Sequence, residues 1–375
     1  MELLFLIGSL ECGGAERVLV DLANYWASKN WKISVATIAF KNTDYYHLSP
    51  AVQHISFETK YHGGFLKRLF PTIKLIIKIR KLLKTGQYAI VKSDLTTFNA
   101  LLAISSLGLR KNIKLIASEH THPPMYQFNS FVQWLILKLY KRFDSIVALT
   151  EKSANWLQTH GHFSNIDVIP NAITPTIFHA TELVQHEQKQ NQTQFKLLAA
   201  GRLHDPKGFD LLIPVFSKLS LAFPEWDLLI AGEGKERANL ENLIQKHGLE
   251  KRVELLGAVA DMSILYNTVD CFVLSSRREG FPLVLIEAMA SGLPVISFDC
   301  DTGPRDIIRH DVDGLLIPAG DIQALYLGLS HLFRDKQLRR RLGEKAVEVR
   351  DRFSPEKIAV KWENLFEKVL RKKLN

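Results

Sequence analysis

Short apolar runs alternate with longer amphipathic segments along most of the chain. Glu2–Ile7, Lys32–Ala39, Tyr88–Lys92, Ile113–Ala117, Ser145–Leu149 and Asp167–Ile169 have the length and apolar content that predict strands. The intervening segments Ala15–Lys29, Pro71–Lys84, Thr96–Leu107 and Phe131–Arg142 predict helices. Residues Thr181–Gln194 break the pattern: they hold five Gln and almost no apolar residue, as a linker or exposed loop would. A second alternation follows, with strands predicted at Phe195–Ala200, Trp226–Ala231, Arg252–Leu255, Cys271–Leu274, Pro294–Phe298 and Gly314–Ile317. Pro355–Leu374 predicts a terminal helix capped by Ser354. Strand–helix alternation implies parallel sheets covered on both faces. Two such halves with a polar junction predict two doubly wound α/β domains facing across a cleft, with ligands bound beyond the carboxyl ends of the strands.

Composition adds two constraints. With 375 residues, 46% hydrophobic and 23% charged, the chain is globular and long enough for two cores. Its net charge of +9 is confined to one half: residues 1–168 carry 20 Lys and Arg against 11 Asp and Glu, and the remainder carries 28 against 28. A basic first half implies an anionic partner for that half, such as phospholipid, lipid-linked phosphate or nucleic acid. The three cysteines, Cys12, Cys271 and Cys300, lack metal-ligand spacing and fit a reducing compartment. Met1–Leu10 lacks a basic flank and reads as a buried strand rather than a leader, and no apolar run reaches a membrane-spanning length.

The candidate chemistry lies at the ends of predicted strands. In Glu279-Gly-Phe-Pro-Leu-Val-Leu-Ile-Glu287, Pro282 opens a buried helix, Glu279 precedes it, and Glu287 sits about one and a half turns inside. Helix-start amides favour an anion, and carboxylates accept hydroxyl protons. A ligand that is both phosphorylated and rich in hydroxyls suits this pairing; a nucleotide sugar is one. Taken alone the stretch reads equally well as a capped helix with a solvated Glu287. Arg202 and Lys207, in Gly201-Arg-Leu-His-Asp-Pro-Lys-Gly208, share a strand-to-helix loop where a guanidinium fork and an ammonium would clamp a pyrophosphate and stabilise it as a leaving group. Gly13 and Gly14 follow the first strand and let a ligand approach the backbone. The absence of G-x-G-x-x-G disfavours a dinucleotide fingerprint, and the absence of G-x-x-x-x-G-K-[ST] removes a P-loop. His120 ends the strand Ile113–Ala117 region and is placed to meet a sugar hydroxyl, whereas His122 reads as a solvated loop residue. Gly232-Glu-Gly234 and Gly257-Ala-Val259 read as turns or as walls of a base pocket. Asp299-Cys-Asp301 has the form of a metal-binding D-x-D pair, discounted because Arg202 and Lys207 already supply positive charge.

The helix Pro71–Lys84 carries Leu75, Ile76, Ile79, Leu82 and Leu83 on one side and Lys74, Lys78 and Lys81 on the other, with Lys67 and Arg68 before it. The apolar face is assigned to the core and the basic face to an anionic membrane or lipid phosphate. Phe131–Phe143 adds Trp134, Lys138, Tyr140, Lys141 and Arg142. Nucleic acid is set aside because no recognised binding motif accompanies the charge.

With these motifs in order, the chain resembles the family 4-type retaining glycosyltransferases of the two-domain GT-B fold, over nearly its whole length. It is similar to bacterial enzymes that extend lipid-linked oligosaccharide, O-antigen, capsule or lipopolysaccharide. The resemblance implies an acceptor-side, membrane-facing domain over 1–170, a nucleotide-sugar-binding domain over 171–352, and a terminal helix over 353–375 that crosses back to the first. It implies a metal-independent, retaining transfer of a hexose or N-acetylhexosamine from a nucleotide sugar to a glycan hydroxyl. UDP is the default nucleotide, with GDP open. The implied partners are that donor, a glycolipid or lipid-linked oligosaccharide acceptor and the anionic inner face of the cell membrane, with no cofactor and no metal. In this reading Gly13 and Gly14 admit the diphosphate and Arg202 and Lys207 neutralise it. Glu287 holds the ribose hydroxyls, and Glu279 with the amides of Gly280, Phe281 and Pro282 holds the sugar and β-phosphate. His120 contacts the sugar near the reacting carbon. Asp306 stands where many relatives have Glu. Two alternatives remain open: a nucleotide-sugar 2-epimerase of the same fold, and a non-catalytic lipid- or polyanion-binding protein.

Overall fold

The computed structural model describes residues 1–59, 65–109, 113–126, 128–179 and 193–371, with residues 65–70 described in backbone only. The chain divides into two compact units, one of Met1–Asn171 with Glu356–Asn375 and one of Ala172–Pro355. The polar segment Thr181–Gln194 lies almost entirely outside the described residues.

The first unit is built on β1 (Glu2–Ile7), β2 (Lys32–Thr37), β3 (Gln53–Ser56), β4 (Ile90–Asp94), β5 (Lys114–Glu119), β6 (Ser145–Ala148) and β7 (Ile166–Val168). They form one sheet in the order β3-β2-β1-β4-β5-β6-β7, and every pairing is parallel. The strand order reverses between β1 and β4, where doubly wound sheets bind ligands. Leu75, Ile79, Leu83, Leu102, Tyr140 and Leu157 from four helices pack one face of this sheet. On the terminal helix Pro355–Arg371, Phe366 packs against Trp26, with ring centroids 5.2 Å apart, and Trp26 donates to Glu363.

The second unit is built on β8 (Phe195–Ala200), β9 (Trp226–Ala231), β10 (Val253–Gly257), β11 (Cys271–Leu274), β12 (Val295–Asp299) and β13 (Leu315–Pro318), in the order β10-β9-β8-β11-β12-β13, again all parallel. Most residues of the central strands are apolar and buried, as befits strands covered on both faces.

Three local expectations change. The edge strand β3, Gln-His-Ile-Ser, is polar and only partly buried, so no apolar run marked it. The helix predicted from Pro71 begins at Phe65, with Pro71 inside it. A helix at Glu151–Gly161 went unpredicted, because its many polar residues mask a buried stripe of Ala154 and Leu157 behind the Thr150 cap.

Candidate active site

In the second unit three loops meet at the carboxyl ends of β8, β11 and β12. The loop after β8 turns through a single 3₁₀ turn, Asp205–Lys207, into helix Phe209–Ala222. Gly208 ends that turn at φ +64°, and a Cβ there would stand 2.1 Å from the Ser275 carbonyl oxygen. Only glycine combines that backbone with that approach. The loop after β11 is pinned to it: Ser275 Oγ donates to the Lys207 carbonyl at 3.0 Å, and the Arg277 N–H donates to the Pro206 carbonyl at 2.8 Å. The Arg277 guanidinium grips Asp210 through two bonds of 2.7 and 2.5 Å and donates to the Asp205 carbonyl.

This scaffold brings Lys207 and Glu279 together. Lys207 Nζ lies 2.6 Å from Glu279 Oε1, and Ser276 Oγ donates to the same oxygen at 2.6 Å. The Glu279 side chain is 8% exposed and that of Lys207 23%. Thr302, after β12, donates to the Glu279 carbonyl, and the Gly303 N–H donates to Asp306 at 3.0 Å. Arg202 stands on the same loop as Lys207, exposed and without a partner among the described residues. An exposed guanidinium and a part-buried ammonium on one loop offer an anion two cations.

Pro282 is the N-cap of helix Leu283–Ala290 rather than its first residue. It has no N–H, so the amide role expected of it fails; Gly280, Phe281 and the first helical residues retain theirs. Phe281 is buried and packs edge-on to Phe353 at 5.4 Å. Glu287 is 1% exposed, so it is no solvated helix residue. Its two oxygens accept from Thr174 Oγ1 and, at 3.2 Å, from Tyr266 OH.

Of the D-x-D pair, Asp299 is held by Arg305, which donates to both of its oxygens at 2.9 and 2.8 Å. Cys300 between them is buried, and burial pushes its thiol up to about 12.

In the first unit Gly13 is the N-cap of helix Gly14–Ser28, in extended backbone that any residue adopts. Only the end of the Glu16 side chain crowds its Cβ position, so the fold itself does not demand glycine there. His120 follows β5 directly, and its Nε2 lies 2.7 Å from Asp94 Oδ1 at the end of β4. His122 is buried, not solvated: its Nδ1 is 3.0 Å from Ser153 Oγ. Beside it, Glu119 is fully buried, and that burial raises its pKa to about 7 against the opposing hydrogen bonds from Tyr140, Thr96 and Asn99.

On helix Phe65–Thr85, Lys74 and Lys81 are exposed, while Lys78 Nζ donates to the Phe57 carbonyl at 2.5 Å and is tied into the fold. The side chains of Lys67 and Arg68 lie outside the described residues. Helix Ser130–Tyr140 exposes Phe131, Trp134 and Leu135, with Lys138 Nζ 3.9 Å from the Trp134 ring centroid. Between Phe65 and Phe143 the sequence has only two acids, Asp94 and Glu119, and both are buried. No helix among the described residues is long and apolar enough to cross a membrane.

The residues that sequence reasoning missed are those that hold the others: Ser276, Arg277, Thr174 and Tyr266 in the second unit, and Lys92 and Asp94 in the first. Arg277 flanks a recognised stretch and was findable by proximity. Thr174 is 113 residues from Glu287, and no linear signal joins them.

Comparisons with known proteins agree on what carries such loops. Residues 12–176 match the family described as Glycosyltransferase Family 4, and residues 181–349 match Glycosyl transferases group 1. The amylovoran biosynthesis glycosyltransferase AmsD of Erwinia amylovora is 29% identical over 97% of this chain and 99% of its own. An α-1,4-N-acetyl-D-galactosaminyltransferase of Campylobacter jejuni, named for an undecaprenol-diphosphate-linked acceptor, is 27% identical over 98% and 99%. Among solved structures, Anabaena HepE in complex with UDP superposes with a TM-score of 0.78 at 21% identity, covering 98% of this chain and 100% of its own. The fold is GT-B, and with both halves matched in order along nearly all of its length, the chain belongs to the glycosyltransferases of family 4 and group 1.

Proposed function

We propose that this glycosyltransferase transfers a hexose or N-acetylhexosamine, with retention of configuration and without a metal ion, from a UDP-sugar to a hydroxyl of a lipid-linked oligosaccharide or lipopolysaccharide-type glycan. The observation that carries the reading is the 2.6 Å pair of Lys207 and Glu279 at the strand ends of the second unit, on a loop that also carries the exposed Arg202. A diphosphate entering there meets two cations, and its arrival gives the Lys207 ammonium a second anionic partner. Both cations then stabilise the departing nucleoside diphosphate where charge develops. Glu279 and the amides of Gly280 and Phe281 hold the sugar and β-phosphate, Glu287 takes the ribose hydroxyls, and Gly13 and Gly14 leave room for the diphosphate. His120 is assigned to the sugar near the reacting carbon. UDP is chosen as the nucleotide because the HepE complex contains it.

The acceptor class draws support from the relatives' names and from Phe65–Lys84 of the first unit, a basic stretch without an acid. Lys74, Lys81, Lys138 and the exposed Phe131, Trp134 and Leu135 suit a peripheral contact with the anionic cytoplasmic face of a membrane. Lys78 is withdrawn from that surface by its bond to Phe57.

The test is a thermal-shift panel of nucleotide sugars and nucleoside diphosphates without added metal, followed by transfer assays on lipid-linked acceptors. A shift with one UDP-sugar, lost in Arg202→Ala, is expected. Donor isomerised without any acceptor would move the assignment to a 2-epimerase. A shift with anionic lipid and none with any donor would reduce the protein to a lipid binder.

A further inference from the structure

The tip of β4 holds a buried ion pair that the site as proposed does not use. Lys92 and Asp94 form an ion pair with side chains 1% and 0% exposed. His120 Nε2 lies 2.7 Å from the same Asp94 Oδ1 and 3.4 Å from Ser118 Oγ. An ionised carboxylate only accepts, so Nε2 carries the proton. Nδ1 is then the ring nitrogen with no partner among the described residues. Burial works against charge on Asp94, but the Lys92 ammonium and the His120 hydrogen bond outweigh it and hold the carboxyl below its ordinary range.

The surrounding backbone fixes this arrangement. Leu95, directly after Asp94, has φ +72° and ψ 141°, a strained conformation for a bulky residue. Its N–H is held by the Ser118 carbonyl at 3.0 Å, and Thr96 Oγ1 donates to Glu119 at 2.8 Å. On the other side, Lys92 Nζ lies 4.9 Å from the Trp362 ring centroid, so the terminal helix covers the ammonium. Asp94 Oδ2 is buried without a hydrogen-bond partner among the described residues. A core pair kept for stability alone is commonly replaceable by apolar residues, and an unpartnered oxygen makes this one costlier still. The group that gains from the arrangement is the imidazole.

We propose that Asp94 is the positioning residue for His120, fixing its Nε2-protonated tautomer so that Nδ1 is the nitrogen offered to the transferred sugar, with Lys92 as the buried counter-ion. This rests on the assignment of His120 made above.

The experiment uses the full chain and needs no donor for its first readout. Long-range ¹H–¹⁵N spectra of histidine-labelled protein report the tautomer, with His120→Ala assigning the signal. The wild type is expected as Nε2–H; Asp94→Asn, whose amide offers either an oxygen or an NH₂, is expected to lose that fixed state. The release of UDP from UDP-glucose, UDP-galactose and their N-acetyl counterparts should fall at least tenfold in Asp94→Asn (about the loss typical of an orienting partner), while the thermal shift with UDP is retained. Because Asp94→Asn strands the Lys92 charge, Lys92→Met/Asp94→Asn is measured beside it and should fold while showing the same two losses. Retention of the Nε2–H signal and of UDP release within twofold in either folded variant overturns the proposal. So does failure of both variants to fold, which would make the pair structural. Undiminished release in His120→Ala would instead sink the assignment of His120 itself.

Discussion

Replacing Lys207 by methionine separates the two jobs its ammonium is asked to do. In the free protein it neutralises Glu279 at 2.6 Å, in a pair whose side chains are 23% and 8% exposed. Removing one partner of a fully buried pair costs about 3–5 kcal/mol. Lys207 is part-solvated and Ser276 still donates to Glu279 Oε1, so we expect about 2 kcal/mol. For a unit of this size that lowers Tm by roughly 4–8 °C. In Lys207→Met/Glu279→Gln no charge is stranded, and most of that loss should return. The second job is on the diphosphate. Losing one preorganised donor to a developing anion lowers kcat by about 10²–10³. The assay pairs differential scanning fluorimetry, with and without UDP, with a UDP-release measurement at saturating donor. The expected result for Lys207→Met is a lowered Tm, a UDP-induced shift smaller than the wild type's, and a rate down by at least about 10². A variant that loses Tm but keeps the full UDP shift and a rate within threefold of wild type would refute the clamp and leave Lys207 as a strut for Glu279.

Four further outcomes follow from the same geometry. Gly208→Ala meets both a φ of +64° and a carbonyl oxygen 2.1 Å from its new Cβ, so urea denaturation should show at least about 2 kcal/mol lost. Arg277→Ala removes an exposed pair worth under about 1 kcal/mol, yet it releases the Asp205–Gly208 turn, and donor KM should rise several-fold with little change in Tm. Reversing Lys74 and Lys81 to Glu should weaken sedimentation with anionic liposomes, and Trp134→Ala should do so with less salt dependence; unchanged binding in both would return these helices to core packing alone. The folded pKa of Glu119, about 7, lies above the unfolded carboxyl value, so its contribution is full below about 4.5 and is lost as pH rises toward 7. Glu119→Gln should therefore flatten the fall in stability across that window, and an unchanged slope would show the carboxyl ionised throughout.

Much of the architecture was legible in the linear pattern. Strands such as Glu2–Ile7, Trp226–Ala231 and Cys271–Leu274 are buried on both faces, and continuous apolar runs announce them. The stretch Glu279–Glu287 was legible too, because its proline, glycine and apolar helix occur within nine residues. The apolar runs of β4 and β5 stop about two residues before the strands do, which hides the fact that Asp94 and Glu119 end them.

What the sequence determined by itself is therefore what local interactions and burial dictate: two parallel α/β units, a basic first half, and loops at strand ends carrying Arg202, Lys207, Glu279 and His120. Tertiary structure alone decided which of these touch. Lys207 and Glu279 are 72 residues apart, Thr174 and Glu287 are 113 apart, and Asp94 meets His120 only because β4 and β5 lie side by side. Parallel strands joined by helical crossovers gather distant loops at one edge of a sheet. A pattern read along the chain records the helix that separates two loops and carries no trace of the edge where they meet.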